Sequence, residues 1–416
     1  MCDDLVWDPT FEELRLKKLG TGTFSSKYPR SLVVVAAPAV AHDTRSHPPD
    51  RKRKHEELFE TSDPVRDNPT YISSNTAAAS CKASGLRGIY NAGATCYQNV
   101  VLQSFLHNPI LRNYYLSDGH QSGNCDTQHC LSCAMDDMFQ DFYALESTNG
   151  YTAANILSGF WISEKKAFEN LVTTKEQDAH EFFQFLAEEL HERNGDGQKP
   201  ESGSEHSCNC IIHQTFYGKL QSATTCQNCG GVTNQVQSFL DLSLPLENLS
   251  QKKGSSSSSS KKSKHTPALS LQECLDEEYI KSDKCEYRCH NCNSTQQARR
   301  QTSIKRLPNV LSIQLKRFEY KQGGRNERAA KIDTPVQFPL QLNMLPYTNR
   351  ARSANGDSGG GGVKENYELA RSCTYDLLSV VVHVGEIDTG HYVTYCRVGD
   401  QVILPLPFVG VYVGVC

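Results

Sequence analysis

No stretch of this 416-residue sequence holds the roughly eighteen consecutive apolar residues that a membrane-spanning helix requires, and no membrane role is expected. Excess charge is also missing: 43 Lys and Arg against 47 Asp and Glu leave a formal net charge of −4. Binding nucleic acid through its phosphates calls for a basic face. Direct, sequence-specific nucleic-acid binding is therefore not expected, and contact with chromatin would be local or through partners. The linker and helix pattern of C2H2 fingers is absent too. The nearest thing to a secretory core, Ser31 to Ala41 (SLVVVAAPAVA), follows a mixed-charge segment and comes later than a signal peptide places it.

Cysteine is abundant, 17 in all, and many stand in C-x-x-C or C-x-C pairs with histidines nearby. In a short secreted chain that count would read as disulfides. Grouped this way in a longer chain it reads as zinc ligation in a reducing, intracellular compartment. Cys226-x-x-Cys229 and Cys289-x-x-Cys292 are paired knuckles able to close a tetrahedral four-sulfur site. His120, Cys125, Cys130 and Cys133 form a second set, in which His129 competes for a place. His191, Cys208, Cys210 and His213 form a third, with His206 as the competitor. Up to three structural Zn2+ ions are expected, each closed by four protein ligands and so without a part in chemistry.

Residues 1–84 look poorly organised, with charge at 11–18, an apolar run at 31–41 and a basic run at Arg51 to Lys54 that reads either as a nuclear import signal or as a solvated linker. A globular domain is expected over 85–401, interrupted by disordered loops at about 250–266, with its serine run, and 350–364, with its glycine run. Residues 402–416 form an atypical tail.

The segment Gly85 to His107, GLRGIYNAGATCYQNVVLQSFLH, organises that domain. Val100, Leu102, Phe105 and Leu106 recur at near-helical spacing, which puts Cys96 at or near a helix N-terminus. Unpaired N–H groups and the helix dipole there favour a thiolate, the nucleophilic form. The amide of Asn91 could donate to an oxyanion formed near the sulfur. Further on, Thr173 to Glu192 reads as a helix with a capping box at Thr174 and Gln177 and an apolar stripe of Ala179, Phe182, Phe183, Leu186 and Leu190. Helices are also expected over 133–146 and 153–171, and strands over Thr215–Ala223, Gln235–Leu244 and Ile304–Tyr320. Tyr375 to His383, a turn from Gly385 to Gly390 and a strand from His391 make a hairpin presenting His391 at its tip.

The residues around Cys96 resemble the cysteine box of the ubiquitin-specific proteases, the papain-like deubiquitinases, approximately G-L-x-N-x-G-N-T-C-Y-x-N-x-x-L-Q. The match holds at Gly88, Asn91, Gly93, Thr95, Cys96, Tyr97, Asn99, Leu102 and Gln103, and departs at Ala94, where asparagine is usual. Gln177, Asp178, Ala179, Glu181 and Phe182 match that family's Q-x-D-A-x-E-F box, and G-H-Y-V-x-Y from Gly390 its histidine box. The two extra cysteine and histidine sets resemble the branch of the family that serves the SAGA transcriptional coactivator, its fungal members in particular.

The resemblance implies an α+β, papain-like fold with a helical thumb, a β palm and zinc-bearing β fingers that grip ubiquitin. It implies a cysteine protease with Cys96 as nucleophile, His391 as general base and acid, and Asn91 in the oxyanion hole. Gln177, Asp178, Glu181 and Phe182 would line the cleft for the ubiquitin tail. Partners would be ubiquitin, ubiquitinated histone or nucleosome, and adaptor subunits of a SAGA deubiquitinating module, in the nucleus and also the cytoplasm. In that family an Asp or Asn further along orients the histidine. Here VILPLPFVGVYVGVC, after Gln401, holds neither, and Asp400 is too near His391 to align. The third residue is left unassigned, and both ends read as truncated against the pattern. Met1 to Thr23 would be the remnant of an N-terminal ubiquitin-protease-type zinc finger. Two readings follow: a deubiquitinase, or a catalytically impaired ubiquitin-binding scaffold.

Overall fold

The structure is a computed structural model. It describes residues 87–144, 150–162, 178–194, 208–246, 249, 268–321, 328–354, 369–386, 390–398 and 401–403, and the backbone of two strands near the N-terminus. Gln177, Thr174, His206, Asp400, the basic run at 51–54, the loop at 251–267 and the tail beyond 403 lie outside the described residues.

Six helices build one lobe: α1 (Cys96–Leu106), α2 (Pro109–Leu116), α3 (Leu131–Phe142), α4 (Ala154–Ile162), α5 (Ala179–Asn194) and α6 (Ile211–Phe216). All of α1 except Gln103 is buried, because the helix packs against α5 on one side and against the main sheet on the other. Helix α2 starts cleanly. Asn108 accepts hydrogen bonds from the Ile110 and Leu111 amides, and Pro109 supplies a preset φ at the first position. The apolar stripe read on α5 is buried throughout, in a web of aromatic contacts. Phe182 meets Tyr97 at 5.7 Å and Phe160 at 5.6 Å, and Phe105 meets Phe216 at 5.5 Å and Phe183 at 6.0 Å. Burying each such ring stabilises by about 2–3 kcal/mol.

The strands are β1 (Thr23–Phe24), β2 (Leu32–Pro38), β3 (Gly218–Cys226), β4 (Val232–Phe239), β5 (Leu242–Pro245), β6 (Leu269–Ser270), β7 (Asp283–Cys289), β8 (Ser294–Arg306), β9 (Leu311–Lys316), β10 (Phe318–Lys321), β11 (Arg328–Lys331), β12 (Val336–Pro339), β13 (Gln341–Asn343), β14 (Thr374–Val384), β15 (His391–Val398) and β16 (Gln401–Ile403). The main sheet runs β16-β15-β14-β2-β9-β5, with β13 on β14, and a four-stranded sheet, β4-β3-β8-β7, projects as fingers.

The backbone of Leu32–Pro38 lies within the main sheet, Val34 opposite both Val380 and Ile313. The apolar run that came nearest to a secretory core is thus a central strand of the main sheet. Other boundaries also shift. Thr215 belongs to α6, where its hydroxyl bonds the Ile211 carbonyl at 2.7 Å, so the strand starts at Gly218. Asp241 breaks the expected Gln235–Leu244 strand into β4 and β5. Helix α5 starts at Ala179, capped by Asp178, whose Oδ1 accepts from the His180 amide at 2.9 Å. Asn349–Ala354 turn as a short helix where a loop was expected.

Candidate active site

Cys96 is the first residue of α1 and is 3 % exposed. The turn before it is tied by side chains. Asn91 Oδ1 accepts from the Gly93 amide (3.2 Å), the Thr95 amide (3.1 Å) and the Thr95 hydroxyl (2.9 Å), while Thr95 Oγ1 accepts from the Ala92 amide at 3.0 Å. With Oδ1 taken up in these three bonds, Nδ2 is the end left to serve as donor. Gly93 and Ala94 both hold positive φ, +91° and +47°. Glycine does so freely, alanine at a cost, and asparagine at less cost than alanine. That is the physical reason asparagine suits the position where this chain carries Ala94.

Two other residues of the box fix the approach. Asn99 Nδ2 donates to the Tyr90 carbonyl at 3.2 Å, and Gln103 Nε2 to the Arg87 carbonyl at 2.9 Å. Both hold residues 87–90 against α1. Tyr97 packs edge-on to Phe182, and burial pushes its hydroxyl up to about 12.

His391 opens β15, opposite Val384 of β14. Strand β15 lies along α1, with Ser104 Oγ 3.5 Å from Thr394 Oγ1 and Cys396 Sγ 3.7 Å from the Gln103 carbonyl. The structure therefore sets the helix headed by Cys96 against the strand headed by His391. Val398 and Gln401, which bracket Asp400 in sequence, pair at the other end of β15, about 23 Å from His391 at ordinary strand rise.

A cleft of about 210 Å3 opens beside these elements, lined by Asp178, His180, Arg317, Phe318, Val381 and Tyr392 among others. Of the expected cleft residues, Asp178 lines it, Glu181 is exposed on the next turn of α5, and Phe182 is fully buried behind Tyr97. Three polar groups there were not read from sequence. His180 Nε2 lies 3.1 Å from Asp241 Oδ2, both buried. Burial would raise the Asp241 carboxyl, but His180, Ser243 and Gln184 hold it below its ordinary value. Arg317 Nη1 donates to the Ile332 and Thr334 carbonyls at 3.0 and 2.8 Å, and burial brings the guanidinium down to about 10, so it stays a cation at neutral pH. Its signal was the adjacent pair Lys316 and Arg317 at the end of the run LSIQL, of which only Arg317 is buried.

All three cysteine and histidine sets come together, each with its four ligand atoms within 4.8 Å of one another, as a metal ion would need. His120 takes the place in the second set for which His129 competed; His129 instead holds a positive φ of +52° in the neighbouring turn. His120 Nε2 is 3.2 Å from Cys133 Sγ, and His191 Nδ1 is 3.3 Å from Cys210 Sγ. In the finger tip, the backbone N–H groups of Cys229 and Asn228 hold the Cys226 thiol below its ordinary value.

The family description "Ubiquitin carboxyl-terminal hydrolase" matches residues 87–402. The chain belongs to that family. It is 33 % identical over 335 residues to Ubiquitin C-terminal hydrolase 22 of Arabidopsis thaliana, covering 75 % of this chain and 58 % of that one. With the human Ubiquitin carboxyl-terminal hydrolase 22 it shares 34 % over 324 residues, covering 75 % and 59 %. Among solved structures, the SAGA Ubp8/Sgf11/Sus1/Sgf73 DUB module bound to ubiquitin aldehyde matches with a TM-score of 0.59 and 31 % identity, over 77 % of this chain and 64 % of that one. The chain spans about three-fifths of the length of these curated relatives. Its α+β architecture is that of the ubiquitin-specific proteases: α1–α6 form the thumb, the main sheet the palm, and β4-β3-β8-β7 the fingers.

Proposed function

We propose that the chain is a thiol-dependent deubiquitinase that hydrolyses the isopeptide bond between the ubiquitin C-terminus and a substrate lysine. The observation that carries this reading is the packing of α1, which Cys96 opens with Asn91 tied beside it, along β15, which His391 opens. His391 takes the Cys96 proton, and Sγ attacks the carbonyl carbon. Asn91 Nδ2 donates to the oxyanion. The C–N bond breaks as His391 returns the proton to the departing lysine amine. Water, deprotonated by His391, then cleaves the thioester and frees Cys96. The cleft between the start of α5 and Arg317, Phe318 and Tyr392 takes the ubiquitin tail, with Asp178 and Glu181 at its edge.

The metal-ligating sets fit structural zinc. A tetrahedral zinc with Zn–S bonds of about 2.3 Å has sulfur–sulfur edges of about 3.8 Å, and Cys226–Cys292 and Cys229–Cys289 are 3.9 and 3.5 Å apart. Zinc there would cross-link strands and take no part in the reaction. The likeness to a SAGA module solved with ubiquitin aldehyde supports ubiquitin and SAGA-type adaptor subunits as partners. Monoubiquitinated histone as substrate and a nuclear location belong to the same reading.

The test is hydrolysis of a fluorogenic C-terminal amide of ubiquitin by the full chain, with and without adaptor subunits. Turnover abolished by Cys96→Ala and by His391→Ala is expected. Ubiquitin binding without turnover in either setting would replace this reading by that of a ubiquitin-binding scaffold.

A further inference from the structure

We propose that His383 is the positioning residue for His391: its imidazole, buried beneath Gly390, seats the backbone that carries His391. This rests on the reading of Cys96 and His391 as the reacting pair.

His383 is the penultimate residue of β14 and is 2 % exposed, although Gly385 and Glu386 just beyond it are exposed. In register it faces Tyr392, as Val384 faces His391. Its ring lies 4.6 Å from that of Tyr392 and meets Phe318 edge-on at 5.9 Å. Both neighbours line the cleft. Gly390, directly before His391, has no room for a side chain. A Cβ there would collide with Nε2 and Cε1 of His383 and come within 2.8 Å of the Glu386 carbonyl. The imidazole thus fills the space that a residue at 390 would otherwise claim, and the glycine of the histidine box is explained by a contact rather than by φ. Lys331 Nζ closes the arrangement by donating to the carbonyls of His383 and Gly385, at 3.4 and 2.5 Å.

Charge fits the same role. Burial first, then the neighbouring Lys331 and His391, bring the His383 imidazole down to about 4, so it is neutral wherever the enzyme would work. A neutral His383 leaves a protonated His391 unopposed, whereas a second cation would disfavour it. Nδ1 of His383 is buried with no hydrogen-bond partner among the described residues. An orphaned buried nitrogen costs stability, so the role rests on the volume of the ring against Gly390, which a phenylalanine ring would also supply.

The experiment is the pH dependence of Cys96 alkylation by iodoacetamide, read on the Cys96 peptide by mass spectrometry. It is run in the full chain and in His383→Ala, His383→Phe, Gly390→Ala and the double variant Gly390→Ala/His383→Ala, with kcat and KM on the ubiquitin amide. His383→Ala is expected to raise the alkylation midpoint by about one pH unit. It should lower kcat about tenfold or more, with KM within about twofold. Gly390→Ala should act alike, His383→Phe should keep most of the kcat, and the double variant should recover because the added methyl enters the vacated space. An unshifted midpoint with unchanged kcat in His383→Ala, or a harmless Gly390→Ala, overturns the proposal while the deubiquitinase reading stands. A shifted midpoint in a chain without any turnover supports the proposal and removes that reading instead. Should His383→Ala fail to fold, Gly390→Ala and His383→Phe decide.

Discussion

In the thumb, Phe182 and Leu186 are 0 % exposed and Phe185 1 %, while in the fingers Val232 is 58 % exposed and β4 faces solvent along most of its length. The first region is held by interlocked apolar side chains. The second is a ribbon of four strands with little core at its tip, where Cys226, Cys229, Cys289 and Cys292 converge instead. A sheet exposed on both faces is marginal in water, and a metal cross-link there would supply what the missing core does not. Cys96 opens helix α1 of the thumb and His391 opens strand β15 of the palm packed along it, so the proposed reacting pair belongs to the apolar region.

Metal withdrawal should divide the two regions most sharply. A strong chelator, or Cys289→Ser, is expected to remove about 10 kcal/mol of local stabilisation at the finger tip. Hydrogen exchange read by mass spectrometry should then show β3, β4, β7 and β8 losing protection while α1 and α5 keep theirs. Equal loss in α1 would mean that the regions are not separately held.

Phe182→Ala attacks the other region. The cavity behind Tyr97 should cost about 3–5 kcal/mol, seen as a lower melting temperature with or without chelator.

Acid should weaken the thumb and palm through His383. The folded imidazole titrates at about 4 and the unfolded one at about 6.5. Between these values the unfolded chain holds the proton and the folded chain does not, so stability falls as pH drops from about 6.5 towards 4, by on the order of 3 kcal/mol. Urea unfolding at several pH values should show that slope, and His383→Phe should flatten it.

The smallest change expected is a gain. Ala94→Asn relieves an alanine at φ +47° and should stabilise by about 1 kcal/mol, measured by thermal unfolding. A loss would mean that the turn before Cys96 is not strained there.

The sequence was most legible where chemistry imposes spacing. The cysteine pairs, the helix headed by Cys96 and the hairpin headed by His391 all follow from patterns within a few residues. What it hid was what distant segments do to each other. His383 reads as the end of an apolar strand, and only the approach of Gly390 gives it a role. Asp241 reads as one polar residue inside the expected strand Gln235–Leu244 until His180, from another element, lies 3.1 Å away. The run at Leu32–Pro38 carried no alternation to say which sheet it would enter, and its two partner strands, β14 and β9, come from the far side of the sequence. Asp178 was read as a cleft residue and proves also to be the cap of α5, two roles that one local pattern cannot separate.

The most direct test of the central claim is covalent capture: the purified chain mixed with ubiquitin bearing a C-terminal electrophile, followed by intact mass. The account predicts one ubiquitin added per chain, attached at Cys96, lost in Cys96→Ala, and still formed after the fingers are stripped of metal, though more slowly as their grip on ubiquitin fails. A chain that binds ubiquitin but forms no adduct, or forms one on a cysteine other than Cys96, would contradict it.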